Sequence, residues 1–343
     1  MSATTTRLPR AGAWAMKRLA FHSGLLTLAR YTRQYTRALV LRYHAVTPGV
    51  ADVAYAGPEI CLSAEAFRLQ AAYLKRAYSV IPLDELVRAL AEGRRLPPRA
   101  IAITFDDGYA DNHTQAFPIL RRLGLTATVY LTTGSVDGGT PLWMSAVRAV
   151  VLGAPGRELA VPKLGPFALG SNGRGDAVRA FTRALVPLAS SARAERIRAA
   201  ATAAGVDLGR ALRDTMLTWV QVRELAAAGW TIGAHTVTHA NVALASLAEA
   251  EAEIAASRDA IRAQIGRPVE HFAYTNSGAS HRYFSNEVGD VLRRLAFRSG
   301  VTSQAGVVRP GVDPYLMPRI GVGPRLAPVI DFAAALERRR LAA

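Results

Sequence analysis

A chain of 343 residues can hold one large domain or two average ones, and half of its residues are apolar, so most of it should fold around a core. A single cysteine, Cys61, excludes an internal disulfide framework and a thiolate metal cage, leaving histidines and carboxylates to hold any metal. The formal charge of +16 favours anionic surfaces, but no basic run interleaved with aromatics marks a nucleic-acid reader, and no specific nucleic acid is expected as a partner.

The first acidic residue is Asp52, preceded by Arg7, Arg10, Lys17, Arg18, Arg30, Arg33, Arg37 and Arg42. Residues 1–37 therefore read as a basic, helix-patterned segment ahead of a domain over 38–335. Two readings fit it: a solvated basic helix, or peripheral contact with an anionic membrane surface. No run approaches the roughly 18 to 20 apolar residues of a membrane span. The apolar stretch Leu19–Leu28 is broken by His22 and Ser23 and lacks a small-residue cleavage site. The expectation is a cytoplasmic chain, at most peripheral at the inner membrane face.

In chain order, Ala38-Leu39-Val40-Leu41-Arg42-Tyr43 reads as a first buried strand with His44 at its exit. Ser63 should cap a helix through Phe67, Leu69 and Leu74, apolar at helical spacing; a second helix spans Leu83 to Ala91, after Pro82 and before Gly93. Ala100–Phe105 is a short apolar run of the kind that forms a strand buried on both faces, and it leads into Asp106-Asp107-Gly108. The rhythm continues with a helix over Thr114–Leu123, a strand over Ala127–Leu131, a helix over Val220–Ala228 and a strand from Trp230 to Gly233 that precedes His235. Helix Leu247–Ile265, strand His271–Tyr274, helix Asn286–Leu295 and strand Phe297–Thr302 follow. About 145–215 breaks the pattern: a hairpin from Glu158 to Leu169 with Gly165-Pro166 at its turn, a Gly/Ser-rich loop, then two Ala/Arg-rich helices. This stretch reads as an insertion between repeating units, serving as a lid or a substrate-side wall.

Strands alternating with helices imply a parallel α/β architecture, in which chemistry gathers on loops at the carboxyl ends of the strands. His44, Asp106, Asp107, His235, His239 and Tyr274 all fall at or just after such ends, and one barrel rim would bring them together.

Two adjacent carboxylates at the end of a buried strand need a cation or donors to remain charged. Taken alone, Asp106-Asp107-Gly108 fits a turn with solvated acids equally well. His235 and His239 are the only two of the seven histidines spaced four apart, a spacing that on a helical turn aims both imidazoles at one ion. Two histidines and one carboxylate leave coordination positions open, as catalytic metal sites require.

The Thr104-Phe105-Asp106-Asp107-Gly108 and His235-Thr236-Val237-Thr238-His239 runs resemble the first two motifs of the carbohydrate esterase family 4 polysaccharide deacetylases, the NodB-homology group. The likeness continues through Tyr43-His44, Pro97 to Asn112, Pro118-Ile119-Leu120, Leu217-Thr218-Trp219, Phe272-Ala273-Tyr274 and Leu316 to Val322, and so spans about 38–325. The resemblance implies a distorted (β/α)7 TIM-like barrel. It also implies a hydrolase that removes acetyl groups from a polysaccharide or oligosaccharide, N-acetyl hexosamine units foremost, or from a lipid-linked precursor. On this likeness Asp107, His235 and His239 hold a divalent metal, usually zinc, Asp106 is the base, and the backbone N–H of Tyr109 faces the oxyanion.

The chain departs from the family in two places. Phe272-Ala273-Tyr274-Thr275-Asn276 lacks the arginine that orients the base, and Arg319 is a candidate replacement through a bidentate contact with Asp106. No histidine follows His281 to serve as the late acid, so His44 is a candidate acid, and an ester substrate stays open because an alkoxide leaves more readily than an amine anion. Tyr274 and Trp143 are candidate sugar contacts, whereas Trp219 and Trp230 fit helix and strand packing. A catalytically degenerate barrel that binds glycan in a polymer-assembly complex is the competing expectation.

Overall fold

The computed structural model describes residues 37–49, 53–170, 174–275 and 283–341; the basic segment ahead of Arg37, and with it Asn276 and His281, lies outside them. The chain opens on β1 (Leu39–Tyr43), followed by β2 (Ala45–Thr47) and β3 (Cys61–Ser63). The Ser63 hydroxyl accepts from Ala66 N–H and starts α1 (Ala64–Ala77), as its sequence position implies. β4 (Ser79–Val80), α2 (Leu83–Ala91) and β5 (Ala100–Phe105) come next.

β1 and β5 show why the barrel forms where it does. Along both strands large and small residues alternate. Leu39, Leu41 and Tyr43 join Ile101, Ile103 and Phe105 in the outer core, packed beneath helices. Ala38, Val40, Ala100 and Ala102 belong to a separate inner cluster that α2 covers with Leu83, Leu86 and Val87. Small side chains inward and bulky ones outward suit the narrow interior of a small barrel. The same alternation turns Arg42 and Thr104, which pair across the two strands, toward the inside.

The pattern continues through α3 (Phe117–Arg122), β6 (Thr128–Leu131), an inserted segment described below, α8 (Trp219–Ala227) and β9 (Thr231–Ala234). α9 (Leu247–Ile265), β10 (His271–Ala273), α10 (Asn286–Arg294), β11 (Ser299–Val301), β12 (Ile320–Gly321) and α11 (Val329–Leu341) complete it. Reciprocal capping boxes start α8 (Thr218 with Gln221) and α9 (Ser246 with Glu249). The sheet order is β11-β10-β9-β6-β5-β1-β12, every pair parallel, with β4 added on β5. The sheet curls toward closure: Met317 bridges Val301 in parallel, and three residues later Ile320 pairs with Leu41. This is the distorted seven-stranded (β/α) barrel that the strand rhythm and the resemblance led one to expect.

Between β6 and β9 the chain makes α4 (Trp143–Gly153), the hairpin β7 (Glu158–Val161) and β8 (Gly165–Ala168), α5 (Gly175–Leu185), α6 (Ser190–Ala204) and α7 (Leu208–Ala211). Trp143, Val147, Val150, Phe181, Leu185 and Ile197 form part of a core of its own. The hairpin turn falls on Pro162-Lys163-Leu164, ahead of Gly165-Pro166, because Lys163 (φ 65°) and Gly165 (φ 87°) together supply the left-handed backbone. The helix expected over Thr114–Leu123 starts as a wide-turned π segment over Asn112–Ala116 before becoming α. Leu69, read as part of the buried face of α1, is 41% exposed. No helix among the described residues is long and apolar enough to cross a membrane.

Candidate active site and metal centre

Strand β5 delivers Asp106 and Asp107 to the rim, where both are 2% exposed. Asp107 (φ 75°) and Gly108 (φ 85°) both adopt left-handed backbone, which only glycine takes without cost, so the chain turns sharply and two successive carboxylates enter one site. Asp106 is fixed by Arg319, whose Nη1 and Nη2 donate to its two oxygens at 2.6 and 2.7 Å. Arg319 is fully buried; its remaining donors go to the Thr302 carbonyl at 2.9 Å and the Thr104 hydroxyl at 3.1 Å. Burial pushes the Asp106 carboxyl up, but Arg319 and His235 outweigh it and hold the group at about 2.

His235 follows β9 directly, and its N–H pairs with the Leu131 carbonyl at 3.0 Å. His235 and His239 do converge, with ring centroids 4.9 Å apart, but not on a helical turn. The segment between them is an irregular loop in which Thr236 (φ 63°) and His239 (φ 55°) are left-handed. The Glu253 carboxylate of α9 holds this loop, accepting from Val237 N–H at 2.7 Å, Thr238 N–H at 2.9 Å and the Thr238 hydroxyl at 2.7 Å. Gly134 N–H caps the Val237 carbonyl, and a Cβ at Gly134 would sit 2.6 Å from that oxygen, so no larger residue fits. Glu253 had no signal in the sequence, being one acid among several on an Ala-rich helix. Replacing it by Gln is expected to weaken metal binding by about 10- to 100-fold, the usual cost of removing an outer support, as read by competition with a chromogenic chelator.

Asp107 Oδ1 lies 3.4 Å from His235 Nε2 and 3.3 Å from His239 Nε2. His235 Nδ1 is 2.7 Å from the Ala273 carbonyl, which only accepts, so Nδ1 carries the hydrogen and in the neutral ring Nε2 aims its lone pair at Asp107. Burial depresses His239 below the ordinary imidazole value despite its carboxylate neighbour. Burial raises the Asp107 carboxyl, yet hydrogen bonds from His235 and His239 draw it well below the carboxylate range when their Nε2 atoms carry hydrogen. Asp107 Oδ2 and His239 Nδ1 are buried with no hydrogen-bond partner among the described residues. Three acceptors aimed at one point repel unless a cation stands among them. Bonds of about 2.0–2.1 Å at tetrahedral angles put donor atoms about 3.3–3.4 Å apart, which matches the two Asp107–histidine distances, and all three donor atoms lie within 4.8 Å of one another, so the residues fit a small divalent ion.

The other candidates divide. His44 Nε2 is 4.0 Å from Asp106 Oδ2 and lines the cleft, and burial lowers it to about 4. The Tyr109 backbone N–H has no acceptor among the described residues: the neighbouring ladder bonds run from Ala110 N–H to Thr215 and from Leu217 N–H to Gly108. Two expectations are corrected. Tyr274 is fully buried against Phe272 and Phe284 and does not line the cleft, because the chain has already left β10 and its ring turns into the outer core. Trp143 is 5% exposed; its indole N–H donates to the His239 carbonyl at 3.3 Å and its ring lies under the Arg193 guanidinium, so it braces the histidine loop. The cleft instead takes in Arg42, Tyr55 and, from the inserted segment, Arg148, Arg179 and Arg183.

The profile of the family described as "Polysaccharide deacetylase" matches residues 93–160 and 173–299, more than half of the chain. Over 84 residues the chain is 31% identical to the poly-beta-1,6-N-acetyl-D-glucosamine N-deacetylase of Escherichia coli (strain K12), covering 24% of this chain and 12% of that protein. The curated relatives it matches are spanned over about a third of their length or less. Among solved structures, the Streptococcus pyogenes deacetylase PplD in complex with acetate superposes with a TM-score of 0.58 at 19% identity, over 88% of this chain and 97% of that one. IcaB from Ammonifex degensii superposes with a TM-score of 0.56 at 19% identity, over 88% of this chain and 98% of that one. At this identity the two superpositions bear on the fold alone.

Proposed function

Since the chain belongs to the polysaccharide deacetylase family, we propose that it hydrolyses acetyl groups from an acetylated glycan, free or lipid-linked, using a divalent cation held by Asp107, His235 and His239. The observation that carries this reading is the meeting of three buried donor atoms within 4.8 Å of one another beside a carboxylate locked by a guanidinium. Zinc is the ion whose chemistry suits a nitrogen-rich, oxygen-completed set. When bound, the cation supplies Lewis acidity that polarises the acetyl carbonyl and eases deprotonation of the attacking water.

The chain's own groups do the rest. Asp106 is ionised across the neutral range and takes the water proton on a carboxylate oxygen. Arg319 stops it from rotating away and keeps it from becoming a fourth ligand. The free N–H of Tyr109 donates to the oxygen of the acetyl carbonyl as negative charge develops there. His44, lining the cleft beside Asp106, is the imidazole placed to pass a proton to the leaving atom. Its depressed pKa makes that transfer weak and favours a second reading, an O-acetyl ester substrate.

The test is acetate release from N-acetylated chitooligosaccharide and from O-acetylated xylooligosaccharide, by protein stripped of metal and then reloaded. Acetate should appear with the reloaded protein and disappear with the stripped one. Reloaded protein that binds one metal ion per chain yet frees acetate from neither substrate class would instead indicate the glycan-binding, non-catalytic reading.

A further inference from the structure

Above the donor cluster lies a cleft of about 650 Å³ whose charge is not that of a neutral-sugar site. One wall is α5 of the inserted segment. Ala177, Phe181 and Leu185 repeat every four residues and bury that face, while Arg179 and Arg183, also four apart, line the cleft. Like charges at this spacing weaken a helix, so the helix gains nothing for itself by carrying both. Arg179 pairs with Asp176, an exposed contact; Arg183 has neither a hydrogen bond nor an ion pair among the described residues. On the floor, Arg42 points inward from β1. Its Nη1 contacts the Ser303 hydroxyl, but its Nε is buried without an acceptor among the described residues. The nearby Asp106 is already engaged by Arg319, which donates to both its oxygens. Burial and the adjacent Arg319 disfavour the Arg42 charge, and Asp106 and Asp107 offset them only in part, so an incoming anion would stabilise it. Beyond Asp106 and Asp107, the only acid lining this cleft among the described residues is Glu59.

We propose, resting on the deacetylase reading above, that the acetylated substrate is itself anionic, carrying a carboxylate or phosphate that Arg42 on the floor and Arg183 with Arg179 on the wall receive. A guanidinium fork matches both groups, and an arginine on a helix of the inserted segment contacts substrate without touching the reacting carbonyl. Floor and wall come from segments far apart in the chain, so the anion site would exist only where the insertion is folded against the barrel. The inserted segment thereby becomes the part of the molecule that selects the polymer.

The experiment uses the full-length, zinc-loaded protein and matched probes in titration calorimetry: an O-acetylated oligomannuronate against its methyl ester, and N-acetylglucosamine 1-phosphate against N-acetylglucosamine. At least one anionic member should bind roughly tenfold or more tightly than its neutral partner, the size of effect expected of a charge-assisted contact, and the margin should shrink as salt is added. Which pair shows the margin separates carboxylate from phosphate. Changing Arg179→Gln together with Arg183→Gln should erase most of that margin, while the neutral probes shift less than about twofold, as expected for exposed helix positions. Equal binding within both pairs, or equal weakening of charged and neutral probes by the double variant, overturns the proposal. Acetate release is read in parallel: release without an anionic margin removes this proposal and leaves the deacetylase reading, whereas an anionic margin without release from any probe leaves an anion site but removes the deacetylase reading and, with it, the assignment of the anion as substrate.

Discussion

Asp106→Asn is expected to lower kcat for acetate release by about 10²- to 10⁴-fold, the usual worth of a positioned general base, with metal content unchanged. The reasoning is geometric. Asp106 lies outside the three-donor cluster, and its oxygens face Arg319, so removing its charge takes away the proton acceptor and leaves the cation's ligands intact. Asp107→Asn should fail differently, losing metal and activity together. Steady-state acetate assays paired with elemental analysis separate the two. An Asp106→Asn protein keeping more than about a tenth of wild-type kcat would be too active for one that has lost its base, and the assignment would then be abandoned.

Arg319→Met is expected to cost about 3–5 kcal/mol of stability, the penalty for stranding one partner of a buried ion pair, and to lower activity as well. In the native fold the Asp106 carboxyl sits at about 2, below the ordinary carboxylate value of about 3.9. The pair therefore stabilises the fold fully above about pH 4, and that stability is lost as pH falls through about 2. Without the guanidinium, burial is the largest influence left and raises the carboxyl. The variant should then gain stability as pH falls through that raised value, the reverse of the wild type. Denaturant melts from pH 7 down to pH 4 would show it. Combining Arg319→Met with Asp106→Asn should recover part of the lost stability, because no stranded charge remains, and none of the activity. If Arg319→Met alone melts like the wild type, the ion pair does not hold the base.

The strand-and-helix order was legible because its signals are local. The apolar run Ala100–Phe105, the Ser63 cap and the Pro82 and Gly93 bounds of α2 each act within one element, and the structure places the elements within a few residues of the expected bounds. Asp106, Asp107, His235 and His239 could be singled out because both runs follow strands and together resemble the family's motifs, whereas Asp106-Asp107-Gly108 alone fitted a turn with solvated acids equally well. Tyr274 was misread because a strand-end position says nothing about which way a ring turns once the strand has ended, and Trp143 because nothing local shows that its indole N–H is taken by the His239 carbonyl.

The sequence by itself determined the barrel's repeating units and the side chains able to meet a cation. Tertiary structure alone decided that Arg319, 213 residues from Asp106, locks that carboxylate. It alone decided, too, that Glu253 ties down the histidine loop and that an arginine face of the inserted helix overlooks the cleft. The physical reason is range. Periodicity, caps and turns are settled by neighbours along the chain, whereas a buried charge takes whatever partner barrel closure carries to the same end of the sheet, and that closure depends on every strand in between.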